Sequence, residues 1–197
     1  MANGGTIVGI RAKEGIVLAS EKRLSYNGFV LSKKVRKVYP ITNHIGIGFA
    51  GLHGDIERLV KLLKAQAQYY KIEIGREISV RSLAKYYSNL LFSYKIIPFY
   101  VESIVGGVDE RGPQIYVLDP VGSLIEDKYS VAGSGGPIAI GIIETSYHED
   151  IDVEEAKELA KKAILEAIER DAISGDGIDI LVITKDGYKF EEILLKR

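Results

Sequence analysis

The chain has 197 residues, of which 46% are hydrophobic and 27% charged, with a formal net charge of -1. That length suits one domain with a sizeable core, and the near-zero charge gives no reason to expect nucleic acid or an anionic membrane as a partner. With no cysteine, disulfides, thiol catalysis and cysteine-ligated metal are excluded.

Residues 6–12 and 15–20 are apolar and β-branched, and Lys13-Glu14-Gly15 between them reads as a hairpin turn. Shorter extended pieces are expected around 29–31, 36–39 and 44–50. Over 55–72 the spacing becomes helical, with Ile56, Leu59, Val60, Leu63 and Ala67 on one face. Gly75 ends that helix. Ser79 caps a second one, whose apolar face carries Val80, Leu83, Ala84, Tyr87, Leu90, Leu91 and Tyr94, and Pro98 closes it. Four strands follow at 100–108, 114–119, 123–126 and 129–133, separated by turns at Asp109-Glu110-Arg111-Gly112 and Asp119-Pro120-Val121-Gly122. A helix is expected over 136–147. Asp152 with Glu155 three residues on opens a long helix ending near 172. A last hairpin, 178–184 and 188–194, turns at Lys185-Asp186-Gly187.

Hairpins separated by helix pairs imply an α+β fold: a four-layer αββα sandwich of two antiparallel sheets flanked by helices. A doubly wound parallel sheet is excluded, because its strands come in single βα steps. No apolar run reaches membrane length, and no basic-then-apolar segment opens the chain, so the expected location is cytoplasmic.

Thr6 follows Gly4-Gly5. A hydroxyl residue next to a cleavable glycine can become an N-terminus, and then carries both a nucleophile and a basic amine. Taken alone, each candidate residue has a plainer role. Thr6 is a strand residue, and Glu21 with Lys37 is a surface ion pair worth little. Ser134 caps a helix, and Gly175-Asp176-Gly177 stops one.

Together, and in order, the motifs resemble proteasome β-type subunits of the archaeal kind. They are Thr6-Ile7-Val8-Gly9-Ile10, Ala19-Ser20-Glu21-Lys22-Arg23, Ser32-Lys33-Lys34-Val35-Arg36-Lys37 and Ala50-Gly51-Leu52-His53-Gly54-Asp55. They continue through Gly106-Gly107-Val108-Asp109, Tyr116-Val117-Leu118-Asp119-Pro120-Val121-Gly122-Ser123, Gly133-Ser134-Gly135 and Glu169-Arg170-Asp171-Ala172-Ile173-Ser174-Gly175-Asp176-Gly177. The resemblance implies an N-terminal-nucleophile hydrolase fold and a threonine endopeptidase that degrades unfolded polypeptides in a closed chamber. It also implies partners: α-type subunits, other β subunits in a seven-membered ring, and an ATPase unfoldase acting through the α ring. No cofactor and no metal are implied. Residues 1–5 would be a propeptide or tail, and 6–197 a single domain.

By the same resemblance Thr6 would be the nucleophile after autocatalytic cleavage at Gly5-Thr6. Lys37 would be the lysine that lowers a neighbouring pKa, with Glu21 its carboxylate and Arg23 near the same strand end. Gly51 would donate its N–H to the oxyanion. Ser134, Asp171 and Ser174 would hydrogen-bond around the amine and hydroxyl, and Ser25 would pair with substrate backbone. Leu24, Val35, Phe49 and His53 would line a pocket for apolar side chains.

The pattern departs from the family at the nucleophile. Archaeal catalytic subunits begin Thr-Thr-Thr-Val-Gly, and anchoring on Val8-Gly9 puts Gly5, not Thr6, at the catalytic position. Glu21 stands at the family spacing of sixteen from Gly5, and only fifteen from Thr6. On a strand, a slip of one residue turns a side chain to the other face, unless a bulge re-aims it. Two readings therefore stand: a processed, active Thr6, or an unprocessed, non-catalytic β paralogue in a mixed ring. A third is another N-terminal-nucleophile amidohydrolase acting on small amides.

Overall fold

The computed structural model describes residues 4–195. One five-stranded sheet runs β10 (Tyr129–Ala132), β1 (Ile7–Arg11), β2 (Gly15–Glu21), β11 (Gly177–Thr184), β12 (Gly187–Leu194). The other runs β5 (Val38–Pro40), β6 (Ile45–Gly51), β7 (Val101–Asp109), β8 (Gly112–Leu118), β9 (Leu124–Asp127). A separate two-stranded hairpin, β3 (Leu24–Tyr26) with β4 (Phe29–Ser32), projects between β2 and β5. Every strand pairing is antiparallel.

Helices α1 (His53–Ile74) and α2 (Val80–Ser93) cover the second sheet, burying Leu59, Leu63, Leu83 and Tyr87 against Phe49 and Val105. Helices α3 (Gly136–Ser146) and α4 (Val153–Arg170) cover the first, burying Ala139, Ala160 and Ile164 against Val8, Val17 and Ile180. Ile7, Ile16, Leu18, Ile104, Ile115 and Leu181 fill the space between the sheets. The expected four layers are present. Ser79 accepts from Ser82 N at the start of α2, and Asp152 with Glu155 forms a full capping box on α4. Sequence patterning missed β3, whose Leu24-Ser25-Tyr26 is short and half-exposed and shows no clean alternation.

The inter-sheet layer depends on glycine. A Cβ built on Gly46 would meet Leu181 Cδ2 at 2.6 Å and Leu18 Cδ1 at 3.3 Å, and one on Gly106 would meet Ile16 Cγ2 at 2.6 Å and Leu18 Cδ2 at 3.4 Å. Leu18 therefore fills room that the bare backbone of the facing sheet leaves. Leu18→Ala would open a cavity that the bare backbone of Gly46 and Gly106 cannot fill. A loss of about 2–5 kcal/mol is expected in denaturant unfolding of the isolated chain, and an unchanged midpoint would refute this account of the layer.

Candidate active site

The site lies where β1, β2 and β6 end together, closed by the loops after β10 and α4. Glu21, last residue of β2, is fully buried, and its carboxylate gathers donors from four places. Oε1 pairs with Lys37 Nζ and accepts from Thr6 N at 3.4 Å, while Oε2 accepts from Arg23 N at 2.7 Å and Gly175 N at 3.1 Å. Lys37, also buried, gives a second hydrogen bond to the Arg23 carbonyl at 2.7 Å. A buried pair is tolerable only when its remaining lone pairs and protons are satisfied, and these contacts satisfy most of them.

A second network starts from Asp171, which ends α4. Its Oδ2 accepts from Ser134 Oγ at 2.6 Å and from Ser174 Oγ at 2.7 Å, and its Oδ1 accepts from Ile173 N at 3.2 Å. Because Ser174 gives its proton to Asp171, it receives one from Thr6 Oγ1, 2.8 Å away. Ser134 likewise accepts from Gly5 N at 3.0 Å. The predicted residues Thr6, Ser134, Asp171 and Ser174 thus form one chain of hydrogen bonds, and Glu21 with Lys37 forms the other.

The two networks meet the N-terminal strand on opposite faces. A Cβ built on Gly5 would stand 2.6 Å from Glu21 Oε1 and 2.6 Å from Lys37 Nζ. Thr6, one residue on, points the other way: its hydroxyl reaches Ser174, and its Cβ lies 3.2 Å from where a Cβ on Gly135 would be. Thr6 is fully buried, and its hydroxyl is not among the partners of Lys37, which are Glu21 and the Arg23 carbonyl among the described residues. Thr6 enters β1 directly: Glu21 N donates to its carbonyl at 3.2 Å, and Ile7 pairs with Ser20 in regular register. The structure therefore brings Gly5, not Thr6, to the lysine.

The other predicted residues are dispersed around this centre. Gly51 ends β6 with φ of +147° and presses on the Tyr100 carbonyl, so no larger residue fits there. It borders a cavity of about 410 Å³ shared with Gly4, Ala50, Tyr100, Glu102 and Ser134. Ser25 Oγ has no hydrogen-bond partner among the described residues. Leu24 and Val35 are half-buried, and His53 opens α1 with Nε2 3.8 Å from Glu57. Phe49 is sealed in the outer core, edge-on to Tyr39 and Tyr87, and so lines no open surface.

Four further contacts escaped sequence reasoning. Glu102 accepts from Gly133 N at 2.8 Å and so holds the loop carrying Ser134. Arg23 bonds Asp176 at 2.7 Å, and that hydrogen bond raises the guanidinium's pKa further. Behind the site, buried Lys22 bridges Asp179 at 2.6 Å and Glu192 at 2.8 Å. Burial pushes the Asp179 carboxyl up while Lys22 opposes it. Arg23 and Asp176 stand 153 positions apart and Lys22 and Asp179 157, so nothing local in the sequence signals those pairings. Among the described residues, no cluster of His, Cys, Asp and Glu is arranged to hold a metal ion.

The four-layer αββα sandwich of antiparallel sheets is the fold of the N-terminal-nucleophile hydrolases. A model of the family described as "Proteasome subunit" matches residues 1–183. The chain is 61% identical to a protein named proteasome subunit beta 1 from Staphylothermus marinus, over 98% of this chain and 91% of that one. It is 55% identical to proteasome subunit beta 1 of Desulfurococcus amylolyticus, covering 98% and 95%. It is 52% identical to proteasome subunit beta 2 of Caldivirga maquilingensis, covering 97% and 96%. The chain belongs to the proteasome subunit family, as a β-type subunit of the archaeal kind.

Proposed function

We propose that this chain is a ring-building β subunit of the proteasome core that does not itself cleave peptides, and that a β-type partner in the same ring supplies the threonine. The observation that carries this reading is the absent side chain of Gly5, whose Cβ position stands 2.6 Å from Lys37 Nζ. A nucleophile is activated only within hydrogen-bond reach of its base or of the charge that lowers its pKa. The Thr6 hydroxyl, by contrast, donates to a serine whose own proton is committed to Asp171. The same reading includes α-type partners, unfolded polypeptide as the particle's substrate, an ATPase unfoldase feeding it and a cytoplasmic location.

The deciding measurement is the intact mass of this chain after assembly with α-type and β-type partners. The expected result is a chain that retains the Gly5–Thr6 bond. Loss of Met1 through Gly5 would overturn the proposal and make Thr6 the nucleophile. In the same particles Thr6→Ala is expected to leave peptide hydrolysis within about twofold of the parent. Its cost is confined to stability, about 1 kcal/mol for one buried hydrogen bond.

A further inference from the structure

The cavity beside Gly51 carries a carboxylate that belongs to neither of the networks around Lys37 and Thr6. Its volume is about 410 Å³, and small-ligand sites span roughly 300–1,000 Å³. Glu102 is the one charged residue among the described residues that line it; no lysine, arginine or histidine does.

The second sheet and the loop after β10 together place this carboxylate. Glu102 is the second residue of β7 and pairs with Ala50 of β6, one position before Gly51, so its side chain leaves the sheet beside Ala50. The loop meets the sheet at the same spot, where a Cβ on Gly133 would stand 2.9 Å from that of Ala50. Glu102 Oε2 accepts from Gly133 N at 2.8 Å, which fixes the carboxylate against the loop. Oε1 takes no hydrogen bond or ion pair from the described residues, and the side chain is exposed. The neighbouring side chains add acceptors to it. Ser134 gives its proton to Asp171 at 2.6 Å, so its oxygen is left to accept, as it does from Gly5 N. Tyr100, 59% exposed, lines the same cavity, and an aromatic ring attracts a cation over its face.

Ammonium and guanidinium groups carry donors only, and an acidic group here would face a like charge. We infer that this cavity is a cation site, in which Glu102 receives a basic group of a polypeptide: a lysine or arginine side chain, or a terminal amine. The chain thereby holds polypeptide by its positive groups. The inference rests on the non-catalytic reading only in that the polypeptide is held and not cut. Glu102 and Tyr100 line the cavity whether or not the Gly5–Thr6 bond is cleaved.

Amide NMR spectra of the isotope-labelled full chain, titrated at neutral pH and low salt, test this. The probes are acetylated tripeptide amides, Ala-Lys-Ala and Ala-norleucine-Ala, the second keeping the lysine stem without its charge. The lysine peptide is expected to shift the Val101, Gly133 and Ser134 amides and to bind about fivefold more tightly than the norleucine peptide. Added salt should close that gap. An Ala-Leu-Ala amide with a free amine separates the two sources, since matching shifts from it would support the same site filled by a chain terminus. Glu102→Gln keeps an oxygen to accept from Gly133 N and removes only the charge. It should abolish the preference and leave the spectrum otherwise parental. Four results would overturn the inference: equal binding of the norleucine peptide, a preference that survives Glu102→Gln, shifts confined to another surface, or no binding of any probe. The reading of Gly5 fails separately, because cleavage before Thr6 in assembled particles overturns it and leaves these titrations unchanged.

Discussion

Gly5→Thr is expected to turn this chain into a peptidase. In particles whose other β-type subunits carry a disabled nucleophile, the variant should lose Met1 through Gly4, and peptide hydrolysis should rise on the order of 10³-fold or more over the parent. The groups needed around the new hydroxyl are already in place. Lys37 is paired with Glu21, and Ser134 accepts from Gly5 N at 3.0 Å, where the freed amine would stand. Adding the Cβ obliges Glu21 Oε1 and Lys37 Nζ to retreat from 2.6 Å, and both are ends of flexible side chains. Residue 5 also has φ of +138°, strained for threonine while residue 4 remains attached. Cleavage removes the preceding carbonyl and with it that strain, so the backbone favours processing. A Gly5→Thr chain that stays full-length and inactive in assembled particles would mean the site lacks more than a hydroxyl.

Removing the Glu21 carboxylate is expected to have the largest effect on stability. Glu21→Ala leaves the buried ammonium of Lys37 without its counter-charge, and leaves Arg23 N and Gly175 N unpaired. Breaking a buried pair from one side costs about 3–5 kcal/mol. Replacing both members, as in Glu21→Gln with Lys37→Met, should recover most of that loss, because no uncompensated charge remains. Denaturant midpoints of the single and double variants check this. A double variant no better than Glu21→Ala would show that the pair is not what the fold depends on there. Under the non-catalytic reading the double variant should also leave the particle's peptidase activity unchanged, so assembly and activity read the two roles separately.

Most of the fold was legible in the sequence because it is written in local periodicities. The spacing of Ile56, Leu59, Val60 and Leu63 marks α1, and Asp152 with Glu155 marks the start of α4. Alternation and turn residues mark the β7–β8 and β11–β12 hairpins. The site was legible only through its motifs. Glu21 and Lys37 look like ordinary surface charges until burial is known, and nothing local joins Lys22 to Asp179 across 157 positions.

The sequence by itself determined the four-layer sandwich, the family, and the one-residue offset that sets Gly5 sixteen positions before Glu21. It left open whether a bulge re-aims Thr6, because a bulge depends on what each strand pairs with. Only the tertiary structure decided that. Ile7 pairs with Ser20 in regular register, Gly135 and Ser174 hold Thr6 on one face, and Lys37 and Glu21 occupy the other. Which way a strand residue points is fixed by the partners on its two sides, and here those partners come from β2, the loop after β10 and the end of α4, brought together only when the sheets pack.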